Sequence, residues 1–494
     1  MKILLIYPQY PDTFWSFKHA LKFVSKKAAF PPLGLLTVAA MLPEKWEKKL
    51  IDINISRLTD SDIEWADLVF VSAMEVQKDS VRSVVDQCNK LGATIVAGGP
   101  LFTTGYLEFE GIDYFVLGEA ESTLQPFLDD LEKGKARHIY QSEEWPDITT
   151  TPAPMWSLLD MKHYSSMNLQ YSRGCPYDCE FCDIVVLNGH IPRTKTKDQL
   201  IAEMDSLYDH GWRGSLFIVD DNFIGNKKKL KAEILPALIE WRKNKRYPFV
   251  LYTEVSINLA DDDELIRLMV DAGFDVVFVG IETPNEDSLV ECTKSQNQNR
   301  DLVASVKKLQ EFGLEVQGGF IIGFDNDTES IFQTQIDFIQ NSGIVTAMVG
   351  LLNAPLGTKL YKRLQKEDRL LTTMSGNNTD STLNFIPVMN TETLISGYRQ
   401  VINYIYSPKQ YYERIKTFMK TYQPPRTQAG KIQLHHIKAV FGSIWHIGIR
   451  GEGRRHYWKL FISYLIQSPA KFGRFIVLSI YGYHFYKVAT EETW

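Results

Sequence analysis

The chain has 494 residues, 44% hydrophobic and 23% charged, with a formal net charge of −6, which is ordinary for a globular protein of two to four domains. No apolar run reaches the roughly 18–20 residues a membrane-spanning helix needs; the longest, 33–42 and 475–483, are too short. Five cysteines, three of them within eight residues, argue against a disulfide framework and for metal ligation in a reducing compartment, so a cytoplasmic location is expected.

The opening Met1-Lys2-Ile3-Leu4-Leu5-Ile6 leads into Tyr7-Pro8 without a small-residue cleavage site and reads as a first strand. Over residues 1–140, strands are predicted at 2–8, 49–54, 68–73, 94–99 and 114–118. Helices fit between them, clearest at 77–91, where Val81, Val84, Val85 and Cys88 form an apolar stripe that assigns Cys88 to the core. This alternation predicts an α/β fold with a doubly wound parallel sheet, which binds ligands outside the carboxyl ends of its strands. The turns there are Ser72-Ala73-Met74, Gly98-Gly99-Pro100 and Gly118-Glu119. No G-x-G-x-x-G follows the first strand, which disfavours a dinucleotide.

Residues 141–164, polar and Pro-containing at their start, read as a linker. Over 165–370 the alternation recurs six times, with strands near 169–172, 215–220, 249–255, 275–281, 316–323 and 347–352. Helical patterns separate them at 198–210, 261–272, 300–312 and 328–340. Six units are too few for an eight-unit barrel, so a partial (β/α)6 barrel open on one side is expected, with its chemistry at the strands' carboxyl ends. Residues 371–494 lose the strand pattern and read as a mostly helical, aromatic C-terminal domain. From 409 onward there are 14 Lys and Arg against 4 Asp and Glu, either a basic surface balancing acidic domains or a contact for an anionic partner or membrane face. His435, His436, His446, His456 and His484 lack ligand spacing and are expected to be packing or surface residues.

The chemistry concentrates in Arg173-Gly174-Cys175-Pro176-Tyr177-Asp178-Cys179-Glu180-Phe181-Cys182, a C-x3-C-x2-C spacing directly after the first barrel strand. A cubane has four irons; three thiolates on one loop leave the fourth free for a small chelating molecule. Tyr177 and Phe181 would limit water access to it. A structural zinc site takes four ligands, and no nearby Cys or His completes that set. Cys292 is isolated, so one 4Fe–4S cluster is expected.

The triplet resembles the signature of radical S-adenosylmethionine (SAM) enzymes. That resemblance implies a SAM molecule chelated by the fourth iron and cleaved to a 5′-deoxyadenosyl radical, with an electron donor such as ferredoxin or flavodoxin. By the same resemblance SAM contacts are expected from Tyr177, Phe181, Asp220, Asp221, Glu254, Gly280, Glu282 and Gly319; Ala354-Pro355-Leu356-Gly357-Thr358 departs from the family's commoner Pro-Gly-Thr loop. The first domain resembles the cobalamin-binding domain of the cobalamin-dependent subgroup, which Phe30-Pro31-Pro32-Leu33-Gly34 also fits. This implies corrin contacts at Ser72, Ala73, Met74, Gly98, Gly99, Pro100, Gly118 and Glu119. His19 and His138 lack the D-x-H-x-x-G context, so no histidine ligand to cobalt is expected. The tail Gly451-Glu452-Gly453-Arg454-Arg455-His456-Tyr457-Trp458 resembles a C-terminal domain of unknown function in a branch that includes hopanoid C2-methylases and methylases of a glutamine in methyl-coenzyme M reductase.

These resemblances imply a methyltransferase acting on an unactivated sp3 carbon through methylcobalamin, on a protein or peptide or a lipid, with no nucleic-acid partner. The alternatives are a cyclase, ring-rearranging or oxidising enzyme with the same cofactors, and a non-catalytic cobalamin or Fe–S sensor. The sequence assigns no catalytic residue.

Overall fold

The computed structural model describes residues 1–377, 379–425 and 434–491, with the side chains at 434, 435 and 491 outside the described set; His435 falls there. Six parallel strands build the first sheet: β1 Lys2–Tyr7, β2 Glu47–Asp52, β3 Leu68–Ser72, β4 Ile95–Gly98, β5 Tyr114–Val116 and β6 Ile139–Tyr140, ordered β2-β1-β3-β4-β5-β6. Ile3 to Ile6 are fully buried because helices cover both faces, and a parallel strand so covered needs an unbroken apolar run. The two-residue β6 is too short to leave a period in the sequence.

The second sheet contains β7 Ser166–Leu169, then, after the small pair β8 Ser172–Arg173 and β9 Arg193–Thr194, the strands β10 Gly214–Ile218, β11 Phe249–Val255, β12 Phe274–Glu282, β13 Glu315–Ile322 and β14 Ala347–Leu351. Its order, β14-β13-β12-β11-β10-β7, runs in sequence without closing, as a six-unit partial barrel should. In β11 the residues Phe249, Leu251, Thr253 and Val255 are buried under the outer helices. Val250, Tyr252 and Glu254 alternate with them and are half-exposed, because they face a hollow interior.

Strand β7 ends before the 169–172 run expected from apolar pattern, since Tyr171 and Ser172 turn away to meet Asp220. The expected linker is packed: Trp156 and Tyr164 are buried in the barrel core. So are Phe14, Ala20, Phe23 and Ala28, ahead of the first sheet's helices.

The C-terminal region is helical over Thr391–Tyr406, Pro408–Thr421, Leu434–Ser443, Arg454–Gln467 and Pro469–Glu491, with a wide π turn at Ile444–Ile449. One apolar core runs continuously from the barrel into these helices. Three polar anchors fix them. Arg474 pairs with Asp275 at the start of β12 and, at 2.9 Å, with Glu315 at the start of β13. Buried Arg414 donates to Val345 O at 3.0 Å and to Gln340 Oε1 at 2.7 Å. His484 is buried and bonds Phe14 O at 2.9 Å, while His456 stacks on Tyr412 and His446 packs by Phe23. Among the described residues no helix is long and apolar enough to cross a membrane.

Candidate active site

The cysteine loop leaves β7 under the control of Asp220. Its carboxyl accepts Tyr171 N–H at 2.7 Å and Ser172 O–H at 2.6 Å. Burial pushes it up to about 7 against these bonds. The expected SAM contact is thus fully buried at the base of the loop, away from the cavity wall. Gly174 follows at φ +94°, where an added Cβ would lie 2.9 Å from the carbonyl oxygens of Gly189 and Ile191. Only glycine fits this turn. Cys175 N–H then donates to Gly189 O at 3.2 Å, and Cys182 N–H to Cys179 O at 3.1 Å. Arg363 clamps Glu180 at 2.8 Å, and Asn258 donates to Tyr177 Oη at 2.6 Å, pinning the loop from outside.

Cys179 is buried, and Cys175 and Cys182 are half-buried. Burial pushes all three thiols up, and the Lys294 ammonium opposes the rise at each. Gln296 Nε2 lies 3.8 Å from Cys179 Sγ, and its own Oε1 is buried without a partner. Among the described residues no three His, Cys, Asp or Glu side chains converge on a point that would hold a single metal ion. A cubane takes each thiolate on a separate iron, so three cysteines spread along one loop can hold it without converging on a point. Cys88 is buried in the first sheet's core, and Cys292 is buried beside Phe324 and Leu352.

Beyond the loop the strand ends converge. Phe181, Asp221, Glu254, Gly280, Glu282 and Gly319 all line one cavity together with Cys182. Tyr177 stands outside it. Asp221 is pushed up to about 6 by burial, which the hydrogen bond from Asn188 opposes. Glu254 is pushed up to about 8 by burial first and the nearby Asp221 second. Glu282 holds a left-handed φ of 62°, and Lys294 grips it at 2.6 Å. A non-glycine residue in that conformation marks local strain at the site. Lys294 carries no periodic signal in the sequence and was not expected there.

The same cavity is lined by Ser72, Ala73, Met74, Gly98, Gly99, Pro100, Gly118 and Glu119. Gly99, at φ +90°, approaches so closely that a Cβ would sit 2.4 Å from Ser72 Oγ. Strand ends built largely of small residues such as Ser72, Ala73, Gly98, Gly99 and Gly118 suit a broad planar ligand such as a corrin. Neither His19 nor His138 reaches the wall. Glu119 and Glu121 instead turn to the barrel, where Arg173 pairs with both, at 2.9 Å to Glu121, and Arg193 pairs with Glu119. This seam joins the first sheet's turn to the residue two positions before Cys175. The cavity holds about 2680 Å³, against about 300–1,000 Å³ for an ordinary ligand pocket.

Three family models match the chain. The B12 binding domain family matches residues 24–128, the Radical SAM superfamily 169–339, and a domain of unknown function, DUF4070, 358–493. A hopanoid C-2 methylase of Rhodopseudomonas palustris is 32% identical across 100% of this chain and 94% of its own length. The chain belongs to the cobalamin-dependent radical SAM methyltransferases. An uncharacterized methyltransferase of Synechocystis sp. is 42% identical over 98% of this chain and 91% of its own length. A solved fold, the cobalamin-dependent SAM radical enzyme OxsB with aqua-cobalamin and SAM bound, superposes with a TM-score of 0.65 at 14% identity, covering 99% of this chain and 84% of that one. The methyltransferase's cofactors are therefore a 4Fe–4S cluster, SAM and cobalamin.

Proposed function

We propose that this methyltransferase adds a methyl group to an unactivated sp3 carbon of a polycyclic lipid. The observation that carries the reading is that the turns of the first sheet and the carboxyl ends of the barrel strands line one continuous cavity, whose lower part is aromatic and apolar. Below the acids, Phe217 stacks on Tyr252 with ring centres 4.7 Å apart, flanked by Phe30, and Trp15 packs on Phe278. Such walls suit a rigid hydrocarbon better than a charged peptide.

In this reading Cys175, Cys179 and Cys182 hold the cluster, while the turns at 72–74, 98–100 and 118–119 cradle the corrin. When bound, the cluster and SAM supply a hydrogen-abstracting radical and cobalamin supplies the methyl group. The chain's own residues do the rest. Lys294 offsets the negative charge gathered by three thiolates and Glu282. Glu254, whose carboxyl burial pushes up to about 8, can in its protonated form donate a hydrogen bond where an ionised acid could not. Gly280 and Gly319 leave room between the acids and the aromatic wall, and Phe181 shields the loop from water.

The test is anaerobic reconstitution and turnover with triterpenoid lipids and with peptides, using dithionite or a flavodoxin as donor. One S-adenosylhomocysteine, one 5′-deoxyadenosine and a product heavier by one CH2 are expected per lipid turnover. A product of unchanged carbon count would support the cyclase or oxidase alternative, and methylation confined to peptides would overturn the lipid. Cys179→Ala is expected to abolish 5′-deoxyadenosine formation while corrin still copurifies.

A further inference from the structure

The cavity does not stop at the cofactor end. Its wall continues past Phe217 and Tyr252 to Ser215, Val250 and Asp275 at the amino ends of the barrel strands. There Ile437, Val440, Phe472 and Val477 of the C-terminal helices add to the lining, together with the polar His436 and Arg474. Ile437 is 45% exposed and Val477 37% exposed, so the cavity has an opening to the surface here, as it does beside Met74 and Tyr247.

From that mouth an apolar stripe runs outward along the helical arm 434–449. Ile437, Phe441, Trp445 and Ile449 recur at four-residue steps, with Phe441 67% and Trp445 48% exposed. The spacing keeps them on one side of the arm. Cations follow it along the chain: Lys438 on the arm, then Arg450, Arg454, Arg455 and Lys459 on the following turn and helix, with Arg450 lying over the Trp445 ring at 4.6 Å and Lys459 near Glu413. The sole acid between 434 and 460, Glu452, is bonded by Tyr486 at 2.6 Å.

We propose that this arm docks the enzyme on an anionic lipid bilayer, with the cavity mouth set against the membrane. The proposal rests on the lipid reading of the substrate and adds the route by which such a substrate arrives. Aromatic and branched aliphatic side chains flanked by Arg and Lys are what an in-plane amphipathic helix presents to acidic headgroups and the acyl boundary. A second copy of the chain fits less well, because it would bring five more cations against these five. The continuity of stripe and mouth means that a lipid could pass from the bilayer into the cavity without crossing water.

The test is co-sedimentation of the reconstituted enzyme with vesicles of phosphatidylcholine alone and of phosphatidylcholine with phosphatidylglycerol. Binding is expected to the anionic vesicles, at least tenfold weaker to the neutral ones, and at least tenfold weaker for Phe441→Glu/Trp445→Glu on anionic vesicles. Substrate-free cleavage of SAM should be unchanged in that variant, since neither residue lines the cavity. A wild-type enzyme that stays in the supernatant with anionic vesicles, or a double variant that sediments like wild type, overturns the proposal. So does a wild-type dimer, seen by light scattering, that the double variant splits. If triterpenoids in detergent micelles are methylated although vesicles are not bound, the docking surface fails and the lipid reading stands; if vesicles are bound but only peptides are methylated, the lipid reading fails.

Discussion

Glu254 shows how a single side chain sets a pH dependence. Its carboxyl faces the cavity from β11 and is raised from 4.5 to about 8, by burial first and by Asp221 and Asp220 next. The folded state therefore prefers the neutral acid, whereas the unfolded chain ionises it above its ordinary value. Its folding penalty is absent below about pH 4.5, grows as pH rises, and is complete above about 8. Glu254→Gln removes the ionisation, so the cofactor-free variant is expected to melt on the order of a few degrees higher than wild type at pH 8.5 and at the same temperature at pH 4.5. An equal shift at both pH values would sink this account. Residues of this kind were only partly legible in advance. Asp221, Glu254 and Glu282 stood out as polar positions ending apolar strands, and all three reach the cavity. Asp220 stood out for the same reason but is occupied by Tyr171 and Ser172, because pattern alone cannot tell an acid facing a ligand from one tying down a loop. Lys294 left no trace, since a lone lysine in a polar loop gains meaning only from the Glu282 it meets in space.

Elements were legible where hydrophobic period is strong. The long strands β11, β12 and β13 lie within a residue or two of their expected places, as each alternates or runs apolar for seven to nine residues. The start of the barrel was misplaced because Leu169 and Tyr171 extend the apolar pattern beyond the point where backbone pairing ends. The C-terminal helices were legible as helices but not as part of the barrel, and Arg474 explains why. It is the link between the last helix and two strand starts, Asp275 and Glu315, about 200 and 160 residues earlier. Arg474→Met would leave buried Glu315 and cavity-wall Asp275 without their cation, an effect of up to roughly 3–5 kcal/mol as for a broken buried pair. Urea unfolding monitored by circular dichroism is expected to show a midpoint well below wild type; an unchanged midpoint would mean that apolar packing alone seats the helix.

At the scale of the whole molecule, the seam between Arg173, Arg193, Glu119 and Glu121 holds the two sheets' ligand-bearing ends together. Arg173→Gln keeps a hydrogen-bonding side chain but leaves Glu121 without its cation. Corrin is expected to leave this variant at least roughly tenfold faster, as for the loss of about 1.4 kcal/mol of docking energy, while iron stays near four per chain. Retention of corrin at the wild-type rate, read from absorbance after gel filtration, would show that the seam serves folding alone.

The chamber enclosed by that seam also has a hydration consequence. A space of about 2680 Å³ accommodates on the order of a hundred solvent molecules before anything else enters, many of them lying against rings and methyl groups that offer no hydrogen bond. Each arriving guest sends part of that population back to bulk. Calorimetric titration should therefore register a large negative heat-capacity change as the chamber fills.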